Sequence, residues 1–322
     1  MKNASRQDAA DMEPSARARS IASELLSTAH MPEAEAQERT SRALDREHWL
    51  RLAPGLTIGA APRPSGSTLA PAVADATERH FRSEGYCQMP PILEAPQLAR
   101  LNGAIDSVVA DGWPPVFAWV YDELWALAHH GDVRRLVMSQ LGDSYSQIPH
   151  IWTHVVPAVA GSAGWTPHFD GPTGGRLSVW IALTDATLTN GCMHVVPRRL
   201  LPTALSTEPL DTGRVAMVDA YRALQGVRAL PVTQGSLLAW SFDVLHWGGR
   251  ARRGGAARRS LSFEYIAASE TPRDHERPVL PLASDPPSPA DRLRAIAAGV
   301  LEYRRFEPLL MRFEELARRI LG

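Results

Sequence analysis

The spacing of hydrophobic residues changes period along this chain near residue 145. Before that point it is helical. From Ala95 onward, Leu98, Leu101 and Ile105 share one face, and in "PPVFAWVYDELWAL" the residues Phe117, Tyr121 and Trp125 recur at i, i+4 and i+8. A third helix is predicted for "GDVRRLVMSQLG", with Asp132 as its N-cap, and a short strand follows Gly85. After residue 145 the pattern alternates. "HIWTHVVPAV", "RLSVWIALTD", "CMHVVP", "RALPVTQGSLLAWSF", "VLHWGG" and "RRSLSFEYIA" are short, rich in β-branched and aromatic residues, and separated by Gly, Pro, Asn and Asp. The tail from Arg292 is helical again. A run of strands with helices on either side predicts a mainly β domain with flanking helices, closed as a sandwich or barrel.

Residues 1–75 are rich in Ala, Arg, Glu, Ser and Pro and contain one helical stretch, "AEAQERTSRALDREHWLRL". They are expected to form an extension that packs loosely on the main domain or covers it, leaving 76–322 as the folded domain. The segment Thr203–Gly226 is long for a connection, which suggests a loop or lid beside a substrate.

Composition narrows the possible partners. Lys plus Arg total 34 against 35 Asp plus Glu, a net charge of −1, so no global field draws the protein to nucleic acid or an anionic membrane. No apolar run approaches a bilayer span, and the N-terminus lacks the pattern of a signal or transit peptide. The two cysteines, Cys87 and Cys192, lie in unlike contexts and form neither a disulfide framework nor a thiolate metal site. A reducing, cytoplasmic setting is the expectation.

The chemistry is concentrated in "WTPHFD" and "FDVLHWGG". On an extended segment residues i and i+2 point the same way, so His168 and Asp170 can offer a nitrogen and an oxygen to one ion. His246, at the end of a later strand, can return as a third ligand if the sheets close face to face. Two histidines and one carboxylate on one face of an octahedron leave three positions open, as in non-haem Fe(II) oxygenases. The tripeptide alone decides nothing, since a capped turn holding a satisfied histidine reads the same way. A second copy, His130-Gly131-Asp132, falls at a helix start, where the two side chains would not converge.

Taken in order, "HFRSEGYCQMPPILEAPQLARLNGAI", "TPHFD", "RLSVWIALTDATLTNGCMHVVP", "GSLLAWSFDVLHWGG" and "RRSLSFEYI" resemble the phytanoyl-CoA dioxygenase family of Fe(II)/2-oxoglutarate-dependent oxygenases, over about residues 78–268. The resemblance implies a double-stranded β-helix, that is, a cupin-like jelly roll. It also implies Fe(II) held by His168, Asp170 and His246, with 2-oxoglutarate and O2 as cosubstrates. The family clamps the far carboxylate of 2-oxoglutarate with an arginine after the distal histidine, and here Arg258 and Arg259 are both available. Parity favours Arg258, which shares a face with Ser260, Ser262 and Glu264, while Leu261, Phe263 and Tyr265 face the helices. By the same resemblance Ser178 and Trp180 line the 2-oxoglutarate pocket. Two departures, Pro167 where many relatives have Trp and "VPRRL" for Pro-Gly-Ser-His, touch none of the ligands.

The expected activity is hydroxylation of a small molecule, with 2-oxoglutarate and O2 converted to succinate and CO2. A zinc-type hydrolase or isomerase on a cupin-like barrel and a non-catalytic relative are the competing classes. Arg258 speaks against the hydrolase, which needs no carboxylate clamp, and the intact ligand set speaks against the non-catalytic relative. Arg250, Arg252 and Arg253, in a Gly-rich loop after His246, raise the further expectation of an anionic substrate group; solvating a surface turn is their alternative role.

Overall fold

Alternation along the strands builds two antiparallel sheets. The strands are β1 (Tyr86–Met89), β2 (Tyr145–Val156), β3 (Arg176–Ala182), β4 (Met193–Val196), β5 (Arg228–Leu230), β6 (Leu237–Ser241), β7 (Leu245–Gly248), β8 (Arg258–Ala267) and β9 (Leu280–Pro281). One sheet has the order β1-β6-β3-β8-β2-β9 and the other β5-β4-β7. The computed structural model describes residues 31–60, 66–171, 175–201, 217–277, 280–281 and 287–322. Most of the proposed lid, residues 202–216, and most of the N-terminal extension's first half, residues 1–30, lie outside these.

Both faces of the six-stranded sheet are covered, which is why β3 is buried at every residue. On its outer face Leu177, Val179 and Ile181 join Leu261, Phe263 and Tyr265 in a core shared with Trp119, Trp125 and the helix Pro289–Tyr303. Its inner face turns Trp180, Leu238 and Trp240 toward Val195 and Leu230 of the smaller sheet. The result is a jelly roll with helices on one outer face. The segment around His168 runs antiparallel to β7 through a bridge between His168 and His246.

Within 1–75, the helices Glu33–Leu44 and Arg46–Leu52 are described, and Ala43 and Trp49 enter the main core. Trp49 is 2% exposed and its carbonyl accepts from the Tyr121 hydroxyl at 2.7 Å. The stripe Phe117, Tyr121 and Trp125 is fully buried, but it does not belong to one helix. A 3₁₀ turn over Pro115–Val120 ends at Tyr121, whose backbone is extended, and an α-helix starts at Asp122. The break lets the Asp122 carboxylate accept from the backbone N–H groups of Gly59 (3.0 Å) and Ala60 (2.9 Å) and pair with Arg292. Both charged side chains are buried. Asp122→Ala would strand the Arg292 cation and two N–H donors, and is expected to lower stability by about 3–5 kcal/mol in urea unfolding.

Asp132 is not the N-cap of its helix. His130 takes that place, its Nδ1 accepting from the Asp132 N–H. The Asp132 carboxylate instead accepts from the Ser67 hydroxyl and from the backbone N–H and hydroxyl of Thr68, and so anchors the incoming chain. The helix Met217–Gly226 lies within the stretch expected to be a loop. Among the described residues, no helix is long and apolar enough to cross a membrane.

Candidate metal centre and cavity

His168, Asp170 and His246 converge. One ligand atom from each lies within 4.8 Å of the others, and Asp170 Oδ1 is 3.5 Å from Nε2 of both histidines. Two metal bonds of about 2.1 Å span up to about 4.2 Å, so each of the 3.5 Å oxygen–nitrogen separations fits a shared ion.

The surroundings fix which atoms are free. His168 Nδ1 donates to the Thr166 carbonyl at 2.6 Å and His246 Nδ1 to the Val244 carbonyl at 3.0 Å, since a carbonyl can only accept. Both Nε2 lone pairs therefore face Asp170, and His168 Nε2 is buried without a hydrogen-bond partner. Asp170 Oδ2 accepts from the Ser178 hydroxyl (2.6 Å) and from Trp240 Nε1 (2.8 Å), leaving Oδ1 for a ligand bond. Burial pushes the His246 imidazole down to about 4, so it is neutral at pH 7. Burial works against the Asp170 carboxylate, but the His246 and His168 imidazoles and the Ser178 hydroxyl outweigh it and hold the group below the usual range. At His168 burial is outweighed by Asp170, which raises that imidazole, so binding a divalent ion there releases a proton.

The triad lines a cavity together with Ser178, Trp180, Met193 and Arg258. Arg258 is 2% exposed, and burial pushes its guanidinium down to about 10. Its one hydrogen bond is from Nη1 to the Met193 sulfur at 3.8 Å, its Nε has no partner, and among the described residues no carboxylate pairs with it. It packs between two glycines: a Cβ on Gly248 would come 2.8 Å from Nη2 and one on Gly164 3.0 Å. Arg259 points the other way and pairs with Asp106 at the surface. Ser178 and Trp180 do line the cavity, but Ser178 is tied to Asp170, and Trp180 lies under Arg258, whose guanidinium carbon is 5.8 Å from its ring centroid.

Sequence reasoning left out Trp165, Trp240, Met193 and Tyr303, all of which line the cavity. Alternation on β6 puts Trp240 on the inner face, a signal available in "LLAWSF". Tyr303 reaches in from the last turn of the helix Pro289–Tyr303, and no local pattern announces it. His154 also lines the cavity, 3.2 Å from the Ser262 hydroxyl, while His194 stacks on Trp247. None of Arg250, Arg252 and Arg253 lines it.

The family model described as phytanoyl-CoA dioxygenase (PhyH) matches residues 120–260, which contain the triad and Arg258. Over these residues the chain is similar to the phytanoyl-CoA dioxygenase family. The fold is similar to the solved structure of the epimerase SnoN in complex with Fe3+, alpha ketoglutarate and nogalamycin RO, with a TM-score of 0.50 and 20% identity over 62% of this chain and 85% of that one. It is also similar to the alpha ketoglutarate dependent carbocyclase SnoK from nogalamycin biosynthesis, with a TM-score of 0.51 and 20% identity over 64% of this chain and 87% of that one. Among curated proteins, none matches the sequence.

Proposed function

We propose that this protein is a non-haem Fe(II)/2-oxoglutarate-dependent oxygenase that hydroxylates a small molecule. The observation that carries this reading is Arg258, a buried guanidinium without a carboxylate partner on the wall of the cavity that holds the triad. A buried cation is costly unless an anion meets it, and a planar guanidinium matches a carboxylate two bonds at a time. Zinc-type hydrolysis would leave that cation without a role.

His168, Asp170 and His246 would hold Fe(II), and Arg258 would take the remote carboxylate of 2-oxoglutarate. Together Fe(II), 2-oxoglutarate and O2 supply a two-electron oxidation in which 2-oxoglutarate becomes succinate and CO2 and one oxygen atom enters the substrate. The protein's part is placement. The Thr166 and Val244 carbonyls fix both imidazole tautomers, Ser178 and Trp240 orient the carboxylate, and Trp180 with the two glycines holds the guanidinium flat. Trp165, Trp180, Trp240 and Met193 give the cavity an apolar wall.

The test is Fe(II)-dependent conversion of 2-oxoglutarate to succinate, screened for stimulation by added small molecules. No succinate above a metal-free blank would overturn the proposal. Gly248→Ala offers a finer check, because its new Cβ must displace the guanidinium. It is expected to raise the apparent KM for 2-oxoglutarate about tenfold or more, with the bound-metal stoichiometry unchanged. The loop arginines raised the expectation of an anionic substrate. With none of the three on the cavity wall, that expectation has no support there.

A further inference from the structure

One charged group on the cavity wall has no part in the chemistry above. Glu264, on β8, shares the inner face with Arg258 and Ser262, and lies beside Ser178 of β3 in the sheet register. Its Oε2 accepts from His150 Nδ1 at 2.7 Å. His150 is itself held, with Nε2 3.3 Å from the His275 carbonyl and its ring stacked on that of His275 at 5.4 Å. The carboxylate is therefore a fixed feature of the wall. It keeps 12% of its side-chain surface open, and it faces a cavity lined by Trp165, Trp240 and Tyr303.

The other charged groups of the cavity are already engaged. The triad is committed to the metal and Arg258 to the cosubstrate's carboxylate. Burial pushes His154 down to about 3, so it is neutral, and its Nε2 meets Ser262. Among the charged groups of the described lining, Glu264 still has an acceptor to offer, its Oε1. A buried acceptor left without a donor costs about 1–3 kcal/mol, and a second anion brought against it would cost more. Burial raises the Glu264 carboxyl to about 7, so the carboxylate acceptor dominates above that pH, where binding is to be measured.

We propose that Glu264 is a specificity-determining residue that accepts a hydrogen bond from a hydroxyl or protonated amine on the substrate. The substrate class is then a small molecule with an apolar, ring-bearing body and a donor group, and anionic molecules are excluded. This rests on the oxygenase reading above, which assigns Arg258 to 2-oxoglutarate.

The test uses one scaffold with four end groups: 2-phenylethanol, 2-phenylethylamine, the methyl ether of 2-phenylethanol, and phenylacetate. Binding is measured by ligand-detected NMR on the protein with Zn(II) and saturating 2-oxoglutarate, which fills Arg258 and allows no turnover. The same series is run on the metal-free protein with 2-oxoglutarate, so that a failure of metal binding is seen separately from a failure of donor selection. The alcohol and the amine are expected to bind about tenfold more tightly than the ether and the acid. Glu264→Leu should erase that ranking. Glu264→Gln, which keeps a carbonyl acceptor but no charge, should keep the alcohol's advantage and lose the amine's. Melting temperatures of both variants check that the fold is intact. Equal or tighter binding of the ether or phenylacetate, no detectable binding of either donor, or a ranking that survives Glu264→Leu in a folded protein would overturn the proposal.

Discussion

His246→Ala is expected to yield a folded protein that binds no stoichiometric Fe(II) and forms succinate at less than about one-thousandth of the wild-type rate. His246 is buried, and its Nδ1 is spent on the Val244 carbonyl, so the ring's one remaining function is the Nε2 directed at Asp170. Its removal costs folding a modest cavity and the attraction between the imidazole and Asp170. Asp170→Ala should abolish turnover equally but harm stability more, since it leaves Ser178 and Trp240 with unsatisfied donors. Metal content by elemental analysis, succinate yield and urea unfolding separate these effects. An active, metal-replete His246→Ala protein would remove the triad from the mechanism.

The parts of the fold legible in the sequence are those with a short period. Alternation marked β3 and β8 and sorted their side chains: Leu177, Val179 and Ile181 face the helices while Ser178 and Trp180 face the cavity, and Arg258 is separated from Arg259 in the same way. What the sequence hid depends on partners far along the chain. The helical spacing of Phe117, Tyr121 and Trp125 gave no sign that the chain turns out of the helix at Tyr121, because the cause is Arg292 and the backbone of Gly59 and Ala60. Asp132 looked like a cap because capping is what an isolated helix start needs; its real donors, Ser67 and Thr68, come from a segment without periodicity. Tyr303 enters the cavity from the C-terminal helix, and His150 supports Glu264 across a strand pairing that contains a register shift. Rim charges are a related case, since a cluster of arginines after His246 says nothing about which way the loop turns.

Arg258→Ala should raise the apparent KM for 2-oxoglutarate by a factor of roughly 10² to 10³, the equivalent of about 3–5 kcal/mol for breaking a desolvated charge pair. Arg259→Ala should change it by less than about fivefold, because that guanidinium pairs with Asp106 at the surface, where such pairs contribute about 0–1 kcal/mol. Arg258→Lys keeps the charge but loses the planar two-point contact, and is expected between the two. Stability should move in the opposite direction. The folded-state pKa of Arg258 is pushed down to about 10 by burial, so folding disfavours the charged form, and below pH 10 the cation weakens the cosubstrate-free protein. Arg258→Ala without 2-oxoglutarate should therefore melt no lower than wild type, and above it where the new space collapses well. Added 2-oxoglutarate should then raise the melting temperature of wild type and leave that of Arg258→Ala almost unmoved. A binding residue that weakens the empty protein and strengthens the loaded one differs from a structural arginine, whose loss would lower stability in both states. If Arg258→Ala loses stability with and without 2-oxoglutarate and its KM is unchanged, the guanidinium is part of the packing and the carboxylate clamp must lie elsewhere.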